Sequence, residues 1–310
     1  MRIRVGVVGV GRWGRLHARK YSSMSEVELV AVVDINRERA QEVASEVGSR
    51  PYYHHHEILG KVDAVSIATP TYTHYTIAKD FLEEGVDVLL EKPMATTPSD
   101  AKELEEMASR KGLILQIGHL ERFNGAVEAL DGFLSFPLSV ESWRMAPFDG
   151  RGTDVSVVLD LMIHDIDLLL HLVPLRIERI EAQGTAVFTP LPDVAQANLR
   201  FEGGCVANLF ASRVAPEKVR KMLIHQPGAH LVVDFIQQRL WVARKGGSVR
   251  LEERGGQRDS LYVEIETFLR CVKRRTPPLV SAADGRRALE IATEILRAME
   301  GGCRTDEDGS

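Results

Sequence analysis

The chain's 310 residues are 44% hydrophobic and 27% charged, an ordinary globular composition at a length that favours two domains over one. No apolar run reaches the ~18 residues of a membrane span, and residues 1–8 read as a strand rather than a leader. A net charge of −5 without a basic cluster argues against a nucleic-acid reader. Cys205, Cys271 and Cys303 are isolated, odd in number and without a CxxC pair, so no disulfide framework is expected and a reducing cytoplasm is the natural compartment.

Residues 1–120 alternate strand and helix. Short apolar runs at 3–8, 27–33, 64–67, 86–90 and 113–117 predict buried parallel strands, with helical patterns at 13–21, 37–47, 74–84 and 99–110 between them. Ser99 after Pro98 opens the last helix and Gly112 closes it. Strict alternation of this kind predicts an α/β domain, a doubly wound parallel sheet with helices on both faces.

The rhythm changes in residues 121–300. A helix at 126–133, a strand at 138–145 and a long apolar helix at 154–172 are followed by strand-like runs at 177–188, 195–201, 206–213, 219–225, 230–235 and 240–243. Gly-containing turns between them predict an α+β domain with an open, largely antiparallel sheet. Helices at 262–274 and 284–300 flank the Pro277-Pro278 breaker, and the polar end at 301–310 reads as a frayed tail.

Gly9-Val10-Gly11-Arg12-Trp13-Gly14 is a GxGxxG placed between a strand and a helix. Gly9 permits the tight turn, Gly11 lets backbone approach a pyrophosphate, and Gly14 allows close helix packing. The helix start then offers N–H groups to the phosphates. Asp34 ends the second strand twenty residues after Gly14, where a carboxylate reaches ribose hydroxyls and repels a 2′-phosphate. This Rossmann-type arrangement favours NAD over NADP. Arg37 lies three residues further on, within reach of a phosphate, and tempers that preference.

Glu91-Lys92-Pro93 follows the strand at 86–90, so Lys92 sits where parallel sheets bind ligands. Beside an oxidised nicotinamide it would feel positive charge and desolvation, the setting of a general base; a solvated loop lysine neutralised by Glu91 is the alternative. In the helix at 154–172, Asp160 and His164 share one face, with Asp167 and His171 following on it. Buried in such apolar company they either pair structurally or line a polar cavity. The run His54-His55-His56 invites a metal reading, but neighbouring side chains point in different directions, and no metal site is expected.

Taken together, GVVGVGRWGRLHARKY, ATPTYTHY, EKP, GHLERFN, DLMIHDIDLLLHL and LVSAADGRRALEIA resemble the Gfo/Idh/MocA family of glucose–fructose oxidoreductase and inositol dehydrogenase over almost the whole chain. The resemblance implies that Lys92, Asp160 and His164 are the catalytic lysine, aspartate and histidine. Hydride would pass from a carbinol to nicotinamide while Lys92 or His164 takes the hydroxyl proton and Asp160 orients and balances the pair. It implies cofactor contacts at Thr69, Pro70, His74 and Glu91, and a substrate pocket bounded by His119 and Arg122. Gly125 stands where many relatives have proline. The open sheet face implies a homodimer or homotetramer.

GHLERFN together with the stretch around RMAPFDGRGTDVSVVLDLMIHDIDLL resembles the subgroup that oxidises UDP-N-acetylglucosamine at the sugar 3-position, with a separate sugar transaminase downstream. Arg144 and Arg151 would then meet the diphosphate, ordinary surface charge being the alternative. Oxidation of a free polyol such as inositol, or a catalytically silent dinucleotide-binding regulator, are the competing readings.

Overall fold

Valine- and isoleucine-rich runs make the first sheet, because strands buried on both faces need no polar alternation. In the computed structural model, which describes residues 2–150, 152–245 and 256–301, these are β1 (Ile3–Val8), β2 (Val27–Val33), β3 (Arg50–Tyr52), β4 (Ala64–Ile67), β5 (Asp87–Glu91) and β6 (Leu115–Gly118). They pair in parallel in the order β3-β2-β1-β4-β5-β6. β3 was not expected from the sequence; it is three residues long and carries no apolar run. The connecting helices are α1 (Arg12–Ser23), α2 (Arg37–Val47), α3 (Thr71–Glu83) and α4 (Pro98–Lys111). Thr97, not Ser99, caps α4 by accepting from the Asp100 N–H, which puts Pro98 in the first turn, where its missing N–H costs nothing. Strand order reverses between β1 and β4, so a crevice opens at their carboxyl ends, the usual ligand position in such sheets.

The chain divides into two units. In the second, α5 (Gly125–Glu128) is shorter than the expected helix at 126–133; the chain turns soon after it, with Gly132 at φ 85°. The strands β7 (Ser139–Met145), β8 (Ile177–Thr185), β9 (Val194–Phe201), β10 (Val206–Ser212), β11 (Val219–Gln226), β12 (Ala229–Asp234) and β13 (Arg239–Arg244) form one sheet in the order β13-β12-β11-β7-β10-β9-β8. Every neighbouring pair is antiparallel except β7 with β10. The expected single helix at 154–172 is instead a π-turn over Val158–Met162 running into α6 (Ile163–Leu172). Its apolar residues pack on the inner sheet face with Val140, Leu199, Leu209, Ile224 and Leu231.

Two helices follow, α7 (Ser260–Arg274) and α8 (Ala282–Gly301). Reading residues 121–300 as one continuous domain misplaces α7. Leu261, Ile265, Phe268 and Leu269 join the core of the first unit with Val5, Val7 and Tyr21, and that unit comprises Met1–Leu120 and Asp259–Arg287. From Ala288 onward α8 adds Ala288, Ala292 and Ile295 to the second core. No helix among the described residues is long and apolar enough to cross a membrane. The tail at 302–310 and Cys303 lie outside the described residues.

Candidate active site

The GxGxxG turn has the shape its residue types dictate. Gly9 takes φ +80°, and a Cβ there would meet the Ala68 carbonyl oxygen at 2.8 Å; one on Gly14 would lie 1.8 Å from the Gly9 carbonyl oxygen. A Cβ on Gly11 would meet nothing within 4 Å, so the backbone there faces open space. Gly11 is the N-cap of α1 and no side chain caps that helix, leaving its first turn able to take an anion. A cavity of about 670 Å³ opens over it, lined among others by Gly11, Arg12, Trp13, Asp34, Thr69 and Pro70. Trp13, Ile35 and Tyr72 are exposed by 44%, 87% and 71% and all face this cavity. Apolar surfaces left uncovered around one cleft suit flat heteroaromatic rings. The residues therefore fit a dinucleotide.

Asp34 is buried, accepting from the Val10 N–H at 3.0 Å and the Asn36 N–H at 2.9 Å. Arg39, which sequence reasoning missed, grips the same carboxylate through two bonds of 2.9 and 2.8 Å. Asn36 caps α2 and accepts from the Arg39 N–H; an N-cap asparagine puts its third follower in the first turn, and that was the available signal. Arg37 turns away and stacks over Tyr53, 4.6 Å from the ring centroid. Arg12, Arg15 and Arg39 line a smaller cavity of about 400 Å³ beside Asn36, with Arg15 held by Glu42 and Glu46.

A polar chain lies buried in the first unit. His17 of α1 contacts Glu91 Oε1 and Ser66 Oγ at 3.2 Å each, and Ser66 meets the Tyr21 hydroxyl at 2.7 Å. Glu91 ends β5 and also accepts from the Lys92 N–H at 3.3 Å. Its carboxylate thus faces protein groups rather than the cavity, which departs from the expected cofactor contact. Burial pushes the Glu91 carboxyl up, but the His17 bond and the nearby positive charges outweigh burial and hold it below the usual range. His74, also expected to touch the cofactor, is buried with its ring nitrogens 2.8 Å from the carbonyls of Pro93 and Thr69. Burial lowers its pKa, so the neutral ring braces the loop that carries Thr69 and Pro70 against the segment after Lys92. Glu264 of α7 is fully buried, and neither carboxyl oxygen has a hydrogen-bond partner among the described residues. Burial, then the charge of Glu91, push its carboxyl well above the usual range, so Glu264 gives up its proton at higher pH than Glu91 does. His119, just past β6, is buried as well.

In the second unit the π-turn carries Asp160, and His164 follows in the first turn of α6; both are half-buried. Single π-turns recur at functional sites because the wider turn re-aims a side chain. The backbone of Gly152, at φ +64°, abuts the Asp160 carboxylate: a Cβ there would lie 2.6 Å from Oδ2.

The arginines expected at the substrate are engaged elsewhere. Arg144 is 1% exposed, donating to Asp165 at 2.9 and 2.8 Å and to Glu121 at 2.9 Å. Burial disfavours its charge, but those two carboxylates more than restore it. Arg122 is buried too, bonded to both Asp167 oxygens at 2.7 and 3.0 Å. Neither guanidinium is available to a phosphate, and both pin the helix that carries His164. Asp167 is accordingly buried in an ion pair, while His171 is exposed, so the single polar face read from the sequence separates. Arg151 lies outside the described residues.

Arg220 of β11 pairs in register with Arg144 and lies 3.6 Å from Glu121 Oε1. Its side chain keeps 32% exposure. Burial and then the charge of Arg144 pull its pKa down, opposed by Glu121, Asp165 and Asp160. No motif surrounds it; only strand register shows it beside the arginine that sequence reading chose.

Residues 3–119 match the oxidoreductase family with an NAD-binding Rossmann fold, and residues 121–248 match the C-terminal domain of the same group. The chain belongs to the Gfo/Idh/MocA family of oxidoreductases. It is 39% identical over 308 residues to UDP-N-acetylglucosamine 3-dehydrogenase of Acidithiobacillus ferrooxidans, covering 96% of this chain and 97% of that one. A solved structure of that enzyme superposes with a TM-score of 0.91 over 97% of this chain and 99% of the other. A scyllo-inositol 2-dehydrogenase of Bacillus subtilis is 26% identical over 324 residues, covering 97% and 95%. The family and this full-length relative make the chain an oxidoreductase acting on the CH–OH of a sugar.

The buried carboxyl pair has a pH signature. Stability from Glu264, whose folded pKa is raised, is complete below the ordinary carboxyl range and is lost as pH rises toward the raised value, at about 1.4 kcal/mol per pH unit. Glu264→Gln removes that titration. Urea unfolding should find the variant at least as stable as wild type near pH 8, with its advantage shrinking toward about pH 5. Parallel curves for the two proteins would mean Glu264 is ionised in the fold.

Proposed function

We propose that the chain oxidises a nucleotide-sugar, UDP-N-acetylglucosamine at the sugar 3-hydroxyl, with NAD as acceptor. Full-length 39% identity to an enzyme of that name, against 26% to the inositol enzyme, carries this reading. When bound over Gly11 and Asp34, the oxidised nicotinamide dinucleotide supplies the hydride acceptor. Lys92 or His164 takes the hydroxyl proton as the carbinol becomes a ketone, and Asp160 orients and charge-balances that base. Arg220 takes the role first given to Arg144, meeting substrate anionic charge. The 3-keto sugar is then consumed by amination on a separate transaminase. A silent regulator would not need Lys92, Asp160 and His164 together.

Self-association is part of the same proposal. On the outer face of the second sheet, Phe210 lies beside Trp143, and Leu223, Val232 and Trp241 form a second row across three strands. All five are half-buried. An antiparallel sheet facing water normally shows polar residues there, so aromatic rows point to a homodimer or homotetramer built on this face.

NADH formation with UDP-N-acetylglucosamine, glutamate and a sugar transaminase as ketone trap tests the substrate. Turnover with this sugar and not with myo-inositol is expected; the reverse would discard the nucleotide-sugar. Lys92→Ala should cut turnover by about 10²–10⁴-fold while NADH binding stays near wild type. Undiminished turnover would place the base elsewhere. For cofactor choice, Asp34→Ala should move the NAD/NADP affinity ratio toward NADP and Arg39→Ala away from it, each by about tenfold; unchanged ratios would remove both from ribose recognition. In sedimentation, Trp143→Glu should shift the wild-type oligomer to monomer, and a monomeric wild type would refute the sheet-face contact.

A further inference from the structure

The three adjacent histidines do not diverge as their sequence spacing suggested. His54 ends the segment after β3, and His55 and His56 open a 3-10 turn over His55–Ile58. Ring centroids lie 4.8 Å apart for His54 and His55, 4.6 Å for His54 and His56, and 4.1 Å for His55 and His56. One nitrogen from each lies within 4.8 Å of the others. Glu57 holds the turn in this shape, its Oε1 accepting from the N–H groups of Tyr53 and His54 at 2.9 and 2.8 Å.

A fourth group arrives from another element. Asp80 of α3 puts a single oxygen, Oδ2, at 2.7 Å from His55 Nε2 and 2.9 Å from His56 Nε2. Two imidazole nitrogens and one carboxylate oxygen thus converge on a point, with the His54 ring stacked alongside. We propose that His54, His55, His56 and Asp80 form a binding site for a divalent transition cation of the zinc class.

The donor chemistry supports this. Three imidazole nitrogens and a carboxylate oxygen are a borderline-soft set of the kind zinc takes in tetrahedral geometry. Zinc–donor distances of about 2.0–2.1 Å put tetrahedral donors roughly 3.4 Å apart. The 2.7 Å contact would open by a small rotation of Asp80, and the 2.9 Å contact would open and the 4.8 Å spread close by rotation at His56, which is 57% exposed, and at His54, which is also exposed. Before any ion binds, donors of such a site hydrogen-bond one another, as seen here. The ion would tie the 3-10 turn to α3. His54 and His55 also line the dinucleotide cavity, so metal and cofactor affinities would be linked reciprocally.

Isothermal titration of tag-free protein with Zn²⁺ at neutral pH tests the site. One ion per chain at micromolar or tighter affinity is expected, with at least tenfold weaker binding in Asp80→Asn and in His55→Gln. Circular dichroism checks that the variants fold. Co²⁺ titrated into wild type should give the intense visible bands of a tetrahedral nitrogen–oxygen site, a readout independent of the variants. Millimolar affinity in wild type, or tight binding unchanged by both folded variants, would overturn the assignment.

Discussion

Arg144 carries a full positive charge at 1% exposure and is tolerated there because Asp165 and Glu121 both reach it. A buried charge without such partners would cost several kcal/mol, and removing one partner of a pair costs about 3–5 kcal/mol. The same requirement is met by Arg122 with Asp167 and by Arg213 with Asp193, both buried. These pairs fix how the π-turn and α6 sit on their sheet. On the same segment Asp160 and His164 keep partial exposure, while Asp165 and Asp167 are buried in ion pairs.

The first unit answers the same constraint by titration as well as pairing. Glu91 stays ionised against His17, whereas Glu264 avoids an unpaired charge by holding its proton. Lys92 therefore directly follows a carboxylate whose charge is held by His17 of α1. The return of the chain to the first unit after 258 residues supplies α7 and with it Glu264. Holding the strand end this way fixes the position of the backbone that carries Lys92.

The cofactor half depends instead on the absence of atoms. Gly14 brings α1 against the turn, and Gly11 leaves its backbone facing open space above the helix start. Around that space, exposed Trp13, Ile35 and Tyr72 supply flat apolar walls. Asp34 adds a carboxylate, but Arg39 shares it, so that end of the cavity presents both charges rather than the single acid read from the sequence.

Local information was enough for the parallel-strand periodicity, the GxGxxG turn and Asp34, because each needs only neighbours a few residues away. The antiparallel character of the second sheet followed from its glycine turns, whereas the break of the expected helix at 154–172 into a π-turn and α6, with Asp160 on one and His164 on the other, did not show in its apolar pattern. Partner choice for long side chains was not legible. Arg144 read as an anion ligand and Arg122 as a wall of the substrate pocket, until α6 brought carboxylates to them from 21 and 45 residues away. Arg220 beside Arg144, Glu264 beneath Glu91, and Asp80 under the histidines are likewise products of strand register and helix packing. A sequence specifies which residues carry charge and which elements they ride on; only the packed chain decides which charges are neutralised inside and which remain to meet a ligand, since that depends on distances set by contacts far apart along the chain.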